Sequence, residues 1–324
     1  MSLAERADYI PPAHVAFTRG TRHAEQKMAT QINHGYAIWE EEHITHELCE
    51  KMFPEVRYAK FNRPQEKRTG ADYMWWWVDR SGQSFGCLIQ AKSLKRIGRK
   101  WKVGSDAPLK LEQQLTLLLR SADRLGLPAG LMLYAGDVDY RSAMNCPSRH
   151  RDTACHLREG AGVTLLPALP VRDETKDEAI AATRLRHLPG GPDAVSVFHQ
   201  ATPIVDLSNP NAPETPFTEL ALSGIRKELR PFLEVDQIGA PRIARTMFNM
   251  LGSYRGHEPD FIYDGPHRMQ TLGPRIRNYF SSEFVRHIQR GLRPQLPEYV
   301  QACLDGDPPT DITQNAAGIV LVEL

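Results

Sequence analysis

The chain of 324 residues has 40 Lys and Arg against 39 Asp and Glu, a formal net charge of +1, and is 41% hydrophobic and 24% charged. These proportions match ordinary folded domains and exclude a collagen, a coiled coil or a disordered chain, while the length admits one large domain or two modest ones. The longest apolar stretches, at 115–119 and 319–322, are far too short for a membrane helix of about 20 residues, residues 1–12 lack the regions of a signal peptide, and five scattered cysteines build no disulfide framework, so a reducing, cytoplasmic setting is expected.

Residues 1–35 mix His, Arg and Gln with Pro11 and Pro12 and show no clear period, so they read as an N-terminal arm with at most a short helix. From Tyr36 to Phe53 the pattern turns helical: Ile38, Ile44, Leu48, Cys49 and Met52 form one apolar stripe, and Pro54 ends it. Glu41 falls in the middle of that stripe, whereas Glu40 and Glu47 lie outside it and Glu42 at its edge. A carboxylate carried inward is costly unless it meets a metal, an Arg or a Lys, so Glu41 is expected to have a partner.

Ala71–Val78 and Phe85–Leu94 are rich in β-branched and aromatic residues, and Asp79-Arg80-Ser81-Gly82-Gln83-Ser84 between them is a strong turn signal. They predict an antiparallel hairpin. With the turn centred near Gly82, Asp72 lies opposite Lys92, and alternation puts Gln90 on the face of Lys92, so that Asp72, Gln90 and Lys92 converge. Lys92, Lys95, Arg96, Arg99, Lys100 and Lys102 follow one another without an acid. This run lies in the basic half of the chain, where residues 1–172 hold 25 basic and 19 acidic side chains against 15 and 20 in the remainder. Such a run suits phosphates, the alternative being a solvated hairpin or loop.

Asp106–Leu125 is helical, with an apolar face of Leu111, Leu115, Leu118, Leu119, Ala122 and Leu125 and a stop at Gly126 and Pro128. Strands are expected at Leu131–Tyr134 and Val163–Leu166, which gives the order helix, strand, strand, helix, strand, strand and a mixed sheet flanked by helices, an α/β (α+β) class. The second half is less regular: a long loop at Pro203–Pro216, helices at Thr218–Phe232, Pro241–Tyr254, Pro274–Arg290 and Leu296–Leu304, and a last strand at Gly318–Leu324. A terminal strand must pair, so this half is expected to pack back on the first. The expected division is an arm at 1–35, a core at 36–172 and a largely helical C-terminal region at 173–324.

Glu41 on a helix, Gly70-Ala71-Asp72 opening a strand and Gln90-Ala91-Lys92 on the next strand resemble the PD-(D/E)xK, or restriction-endonuclease-like, nuclease superfamily in its Q-x-K (Mrr-like) variant. The motifs are closer still to an uncharacterised bacterial family in which a Glu-Glu-x-Ile-Thr helix, here Glu41–Thr45, precedes the Gly-Ala-Asp and Gln-Ala-Lys strands. The resemblance covers about a hundred residues and extends to Gln114 and the Leu131–Tyr134 strand. It implies a restriction-endonuclease-like core and a divalent-metal-dependent nuclease acting on nucleic acid, DNA by default. It also implies a role in bacterial defence against phage or foreign DNA, as a homodimer or with a defence-system partner protein.

The chemistry accounts for these residue types. Phosphodiester hydrolysis uses a hard cation, Mg²⁺ or Mn²⁺, that takes oxygen ligands, polarises a phosphoryl oxygen and acidifies water. Asp72 is the principal expected ligand, with the Gln90 amide oxygen, the Ala91 carbonyl and Glu41, directly or through water, completing the shell. Lys92 would orient the attacking water and offset charge on the phosphate. Gln114 would hydrogen-bond a ligand or phosphate, and Lys95, Arg96, Arg99, Lys100 and Lys102 would contact the nucleic acid. Having Gln in place of an acid weakens the metal's hold.

The alternative on the same fold is a catalytically degenerate nucleic-acid-binding or interaction module. Trp75, Trp76 and Trp77 invite base stacking, yet alternation divides them between two faces and favours packing. Cys146, His150, Cys155 and His156 have zinc-binding types, but the adjacent Cys155-His156 pair suits one tetrahedral centre poorly, so a reduced loop is expected. His257, His267 and His287 lack ligand spacing. No GxxxxGK[ST] or Gly-x-Ser-x-Gly motif occurs, so NTP hydrolysis and α/β-hydrolase chemistry have no support.

Overall fold

The computed structural model describes residues 10–33, 40–61, 70–97, 100–103, 108–138, 141, 160–168, 201–209, 238–253 and 282–324. Their frame is one nine-stranded mixed sheet. The strands are β1 (Val56–Lys60), β2 (Tyr73–Val78), β3 (Ser84–Ile97), β4 (Lys100–Val103), β5 (Ala129–Tyr134), β6 (Val163–Pro167), β7 (Thr202–Pro203), β8 (Leu292–Arg293) and β9 (Gly318–Glu323). They run in the order β1-β9-β2-β3-β5-β6-β7, with β4 and β8 added to β3. The helices are α1 (Pro12–Asn33), α2 (Glu41–Met52), α3 (Pro108–Leu125), α4 (Ile204–Leu207), α5 (Gly239–Ser253), α6 (Ser282–Gln289), α7 (Glu298–Leu304) and α8 (Thr310–Thr313).

Both faces of the sheet are covered. Tyr73, Trp75 and Trp77 of β2 and Cys87, Ile89 and Ala91 of β3 pack with α1, α2 and α5, while Met74 and Trp76, with Leu88 and Leu94, pack with α3, α7 and α8. Strand alternation therefore does what the tryptophan triplet suggested: all three rings are fully buried, divided between two cores. Trp76 lies so tightly over β3 that a Cβ at Gly86 would stand 2.6 Å from its ring carbons, which is why this hairpin position is glycine.

The hairpin forms, but its register is two residues from the expected one. Val78 pairs with Ser84 and Tyr73 with Ile89, so the loop comprises Asp79–Gln83. Asp79 sets it, its Oδ1 accepting from Ser81 N–H at 2.9 Å and Ser81 Oγ at 2.6 Å. An even shift keeps each side chain on its face, so the facing pattern read from the sequence survives the error.

The N-terminal arm is corrected to the 22-residue helix α1. Ala13, Ala16, Phe17, Ala24 and Met28 are its buried stripe; the period is helical, but small alanines gave it a weak hydropathy signal. β1, not anticipated, lies on the outer side of β9. The last strand, β9, sits inside the sheet, parallel to β2 and antiparallel to β1, so the end of the chain is built into the core. Part of the expected loop after Pro203 is the short α4. The expected helix Thr218–Phe232 and the start of Pro274–Arg290 lie outside the described residues. No helix among the described residues is long and apolar enough to cross a membrane.

Candidate functional site

The expected residues gather along β3 where β2 stops pairing with it. Asp72 is not a strand residue opposite Lys92, as the shorter loop moves it along; it is the residue before β2, fastened around Gln90. Its N–H donates to the Ile89 carbonyl at 2.9 Å, and its Oδ2 accepts the Ala91 N–H at 2.6 Å. The carboxylate thus occupies the ladder position that β2 vacates, a charge-assisted bond to an otherwise unpaired strand N–H. In an extended strand the N–H and C=O of one residue point to the same edge, so the Ala91 carbonyl faces the Asp72 side as well.

Gly70 explains how Asp72 is delivered there. Its φ is +66°, and an added Cβ would stand 2.6 Å from the Gln114 carbonyl and 2.8 Å from the Leu118 N of α3. Only glycine lets this segment pass so close to the helix. The contact brings Asp72 and the Gln114 turn of α3 together.

Gln90 and Lys92 share the α3 face of β3, the face of Leu88 and Leu94. Asp72, Gln90 and Lys92 are 8%, 5% and 9% exposed, so each polar group needs a partner. Lys92 Nζ donates to Gln114 Oε1 at 2.8 Å, which joins the two expected residues directly. Gln90 Oε1 is buried and, among the described residues, receives no hydrogen bond.

Glu41, the first residue of α2, approaches from the opposite layer. Its Oε1 accepts from Ser93 N–H at 3.2 Å and from Ser93 Oγ at 2.6 Å. Among the described residues its protein partner is thus a buried serine and a main-chain amide, not the Arg or Lys that its inward position led one to expect. Ala91 and Ser93 are two apart, so their N–H groups leave the same edge of β3, about 7 Å apart along the strand. Asp72 takes the first and Glu41 the second.

Ser93 has no place in the sequence motifs, and Thr45 and Tyr134, which end the Glu41–Thr45 motif and the Leu131–Tyr134 strand, have no role assigned by them. Thr45 Oγ1 donates to the Glu41 carbonyl at 2.9 Å and lies 2.6 Å from the Tyr134 hydroxyl. Thr45 has a single hydroxyl hydrogen and a carbonyl only accepts, so Tyr134 donates to Thr45. Burial holds the Tyr134 hydroxyl well above the ordinary phenol range, which keeps it a donor. The one available signal was Thr45 four residues after Glu41; Ser93 and Tyr134 become neighbours only through the pairing of β3 with β5.

The basic run is a β-hairpin in its backbone: Lys95 pairs with Lys102, Arg96 with Trp101 and Ile97 with Lys100. Arg99 lies outside the described residues, as do Cys146, His150, Cys155, His156, His257 and His267. Burial pushes the Cys49 and Cys87 thiols far up, so neither is a reactive nucleophile. Among the described residues no three His, Cys, Asp or Glu side chains group as a metal cluster.

No curated protein matches the chain, and no solved structure does. The model of a family of unknown function (DUF6615) matches residues 16–323, nearly the whole chain, and the protein belongs to that family.

Proposed function

We propose that the protein is a divalent-metal-dependent nuclease of the PD-(D/E)xK type that hydrolyses phosphodiester bonds, with DNA as its substrate. The observation that carries this reading is Gln90 Oε1, a buried amide oxygen without a donor among the described residues, beside a fastened aspartate and two residues from an oriented lysine. Leaving such a group unsatisfied costs about 1–3 kcal/mol, and a cation ligated by that oxygen removes the penalty. The donor set fits Mg²⁺ or Mn²⁺: Asp72, Gln90, the Ala91 carbonyl and Glu41 offer only oxygen. With two carboxylates rather than three, the hold is weak.

When bound, such a cation polarises a phosphoryl oxygen and lowers the pKa of an attacking water. Asp72 and Gln90 would fix its position on β3. Lys92, its ammonium aimed by Gln114, would hold the attacking water and offset charge growing on the phosphate. Lys95 and Lys102 are paired backbone positions of β3 and β4, and a run of basic residues without an acid suits a polyanion. The β3–β4 hairpin is accordingly the DNA-contacting edge. A role in bacterial defence against phage or foreign DNA is what the resemblance of the motifs implies, and a cytoplasmic setting is what the scattered cysteines suit.

A second reading, a nucleic-acid-binding module without catalysis, has one observation on its side: the described residues hold no cluster of three acidic or imidazole ligands. One experiment separates the two. The purified protein is incubated with supercoiled plasmid, linear duplex, single-stranded DNA and RNA, with Mg²⁺, Mn²⁺ or EDTA, beside Lys92→Ala. Metal-dependent cutting that the variant loses is expected; equal cutting by wild type and variant refutes the assignment, and binding without cutting favours the module.

A further inference from the structure

We propose that Ser93, backed by the Thr45–Tyr134 pair, is the positioning residue that sets the Glu41 carboxylate for the metal site. This deepens the nuclease reading and rests on it. Ser93 is fully buried, and both of its donors, N–H and Oγ–H, go to the same Glu41 oxygen, Oε1. An ionised carboxylate is an acceptor only, so the Ser93 hydroxyl hydrogen is committed to Glu41. Among the described residues Oε2 makes no hydrogen bond, which assigns it as the oxygen offered to a cation or to a water on it. Ser93 also follows the metal-site strand segment without interruption. Asp72 fastened on Ala91 and Glu41 fastened on Ser93 therefore share one rigid ruler, β3, although they come from different elements.

The main chain of Glu41 is held independently. Tyr134 donates to Thr45 and Thr45 donates to the Glu41 carbonyl, a chain of fixed direction. Tyr134 is the β5 partner of Ser93 in the sheet. One pair of strand positions thus grips the first residue of α2 twice, once by its side chain and once through its main chain. A tie that only docked α2 on the sheet would need one of these contacts. Gripping both the carboxylate and the backbone that carries it fixes where the free oxygen lies, as partners of metal-ligating carboxylates do.

The test is Mn²⁺ binding by calorimetry, without substrate, on wild type, Asp72→Ala, Ser93→Ala, Tyr134→Phe, Glu41→Gln and the Glu41→Gln/Ser93→Ala double variant, with thermal unfolding in EDTA alongside. Wild type binds Mn²⁺ and Asp72→Ala does not; Ser93→Ala weakens binding about tenfold or more. The double variant binds no more weakly than Glu41→Gln alone, because Ser93 acts through Glu41. Tyr134→Phe, which retains the ring, weakens binding more mildly and serves where Ser93→Ala does not fold. Wild-type affinity in both folded Ser93→Ala and Tyr134→Phe, or an additive double variant, overturns the positioning role and leaves the metal site standing. Absence of Mn²⁺ binding by wild type overturns both.

Discussion

Asp72 fastens the Ala91 N–H and, in the proposed function, ligates the metal, and replacing it in two ways tells the structural bond from the proposed ligation. Asp72→Ala removes the acceptor that satisfies the Ala91 N–H at 2.6 Å and leaves that amide buried, since Ala91 is only 4% exposed. The bond is to a charged acceptor, so its loss costs about 2–3 kcal/mol. Asp72→Asn keeps an acceptor at the same place and gives up the charge-assisted part, about 1 kcal/mol. The assay is urea unfolding of the three proteins in EDTA and again with Mn²⁺ at about a hundred times its dissociation constant. Saturation at that level stabilises a protein that binds only when folded by about 2.7 kcal/mol. Wild type should gain that increment, while both variants gain none; in EDTA, Asp72→Asn should fall between wild type and Asp72→Ala. Equal stability of Asp72→Ala and wild type in EDTA would refute the fastening role. A Mn²⁺-dependent gain in Asp72→Asn would refute the metal role.

Three further outcomes test the surroundings. Gly70→Ala meets the Gln114 carbonyl at 2.6 Å in a left-handed backbone; strain and overpacking together should remove about 2–4 kcal/mol in urea unfolding, and a neutral result would show that this segment does not hug α3. Glu47 is held below its ordinary value of 4.5, chiefly by its hydrogen bond with His23 and then by Lys27. A depressed carboxyl stabilises the folded state at pH values above the unfolded value and loses that contribution as pH falls through the folded value. The stability advantage of wild type over Glu47→Gln should therefore be full above about pH 5 and shrink below it; a gap of the same size at pH 3 and pH 6 would contradict the pairing. Neutralising Lys95, Arg96, Arg99 and Lys100 should reduce the slope of log binding constant against log salt by up to about 3.6, from roughly 0.9 per phosphate contact. An unchanged slope removes the β3–β4 hairpin from the interface.

Much of the site was readable because it is local. The turn residues Asp79–Ser84 announce a hairpin, the apolar stripe of α2 orients Glu41 inward, and strand alternation puts Gln90 and Lys92 on one face. Gln114 at the edge of an apolar helix face is expected to hydrogen-bond a ligand or phosphate, whereas the bond the structure gives it is the one from Lys92. The misreadings have physical causes. The loop length depends on which of several polar residues closes the turn, and the Asp79 side chain decides it. In α1, alanines carry the buried stripe, so its hydropathy hardly departs from that of a loop.

By itself, then, the sequence determined the central hairpin, the helices α2 and α3 and the strands β5, β6 and β9, the sides of the hairpin strands and the chemical types that meet at Asp72, Gln90 and Lys92, because period, turn chemistry and residue type are local properties. Only tertiary structure decided where the last strand lies, which carbonyl crowds Gly70, and that Ser93 and Tyr134 grip Glu41. Those contacts join residues 52 and 89 positions apart, and β9 reaches β1 across nearly the whole chain. They exist because covering both faces of one sheet brings distant segments into register, and no local pattern encodes which partners that register selects.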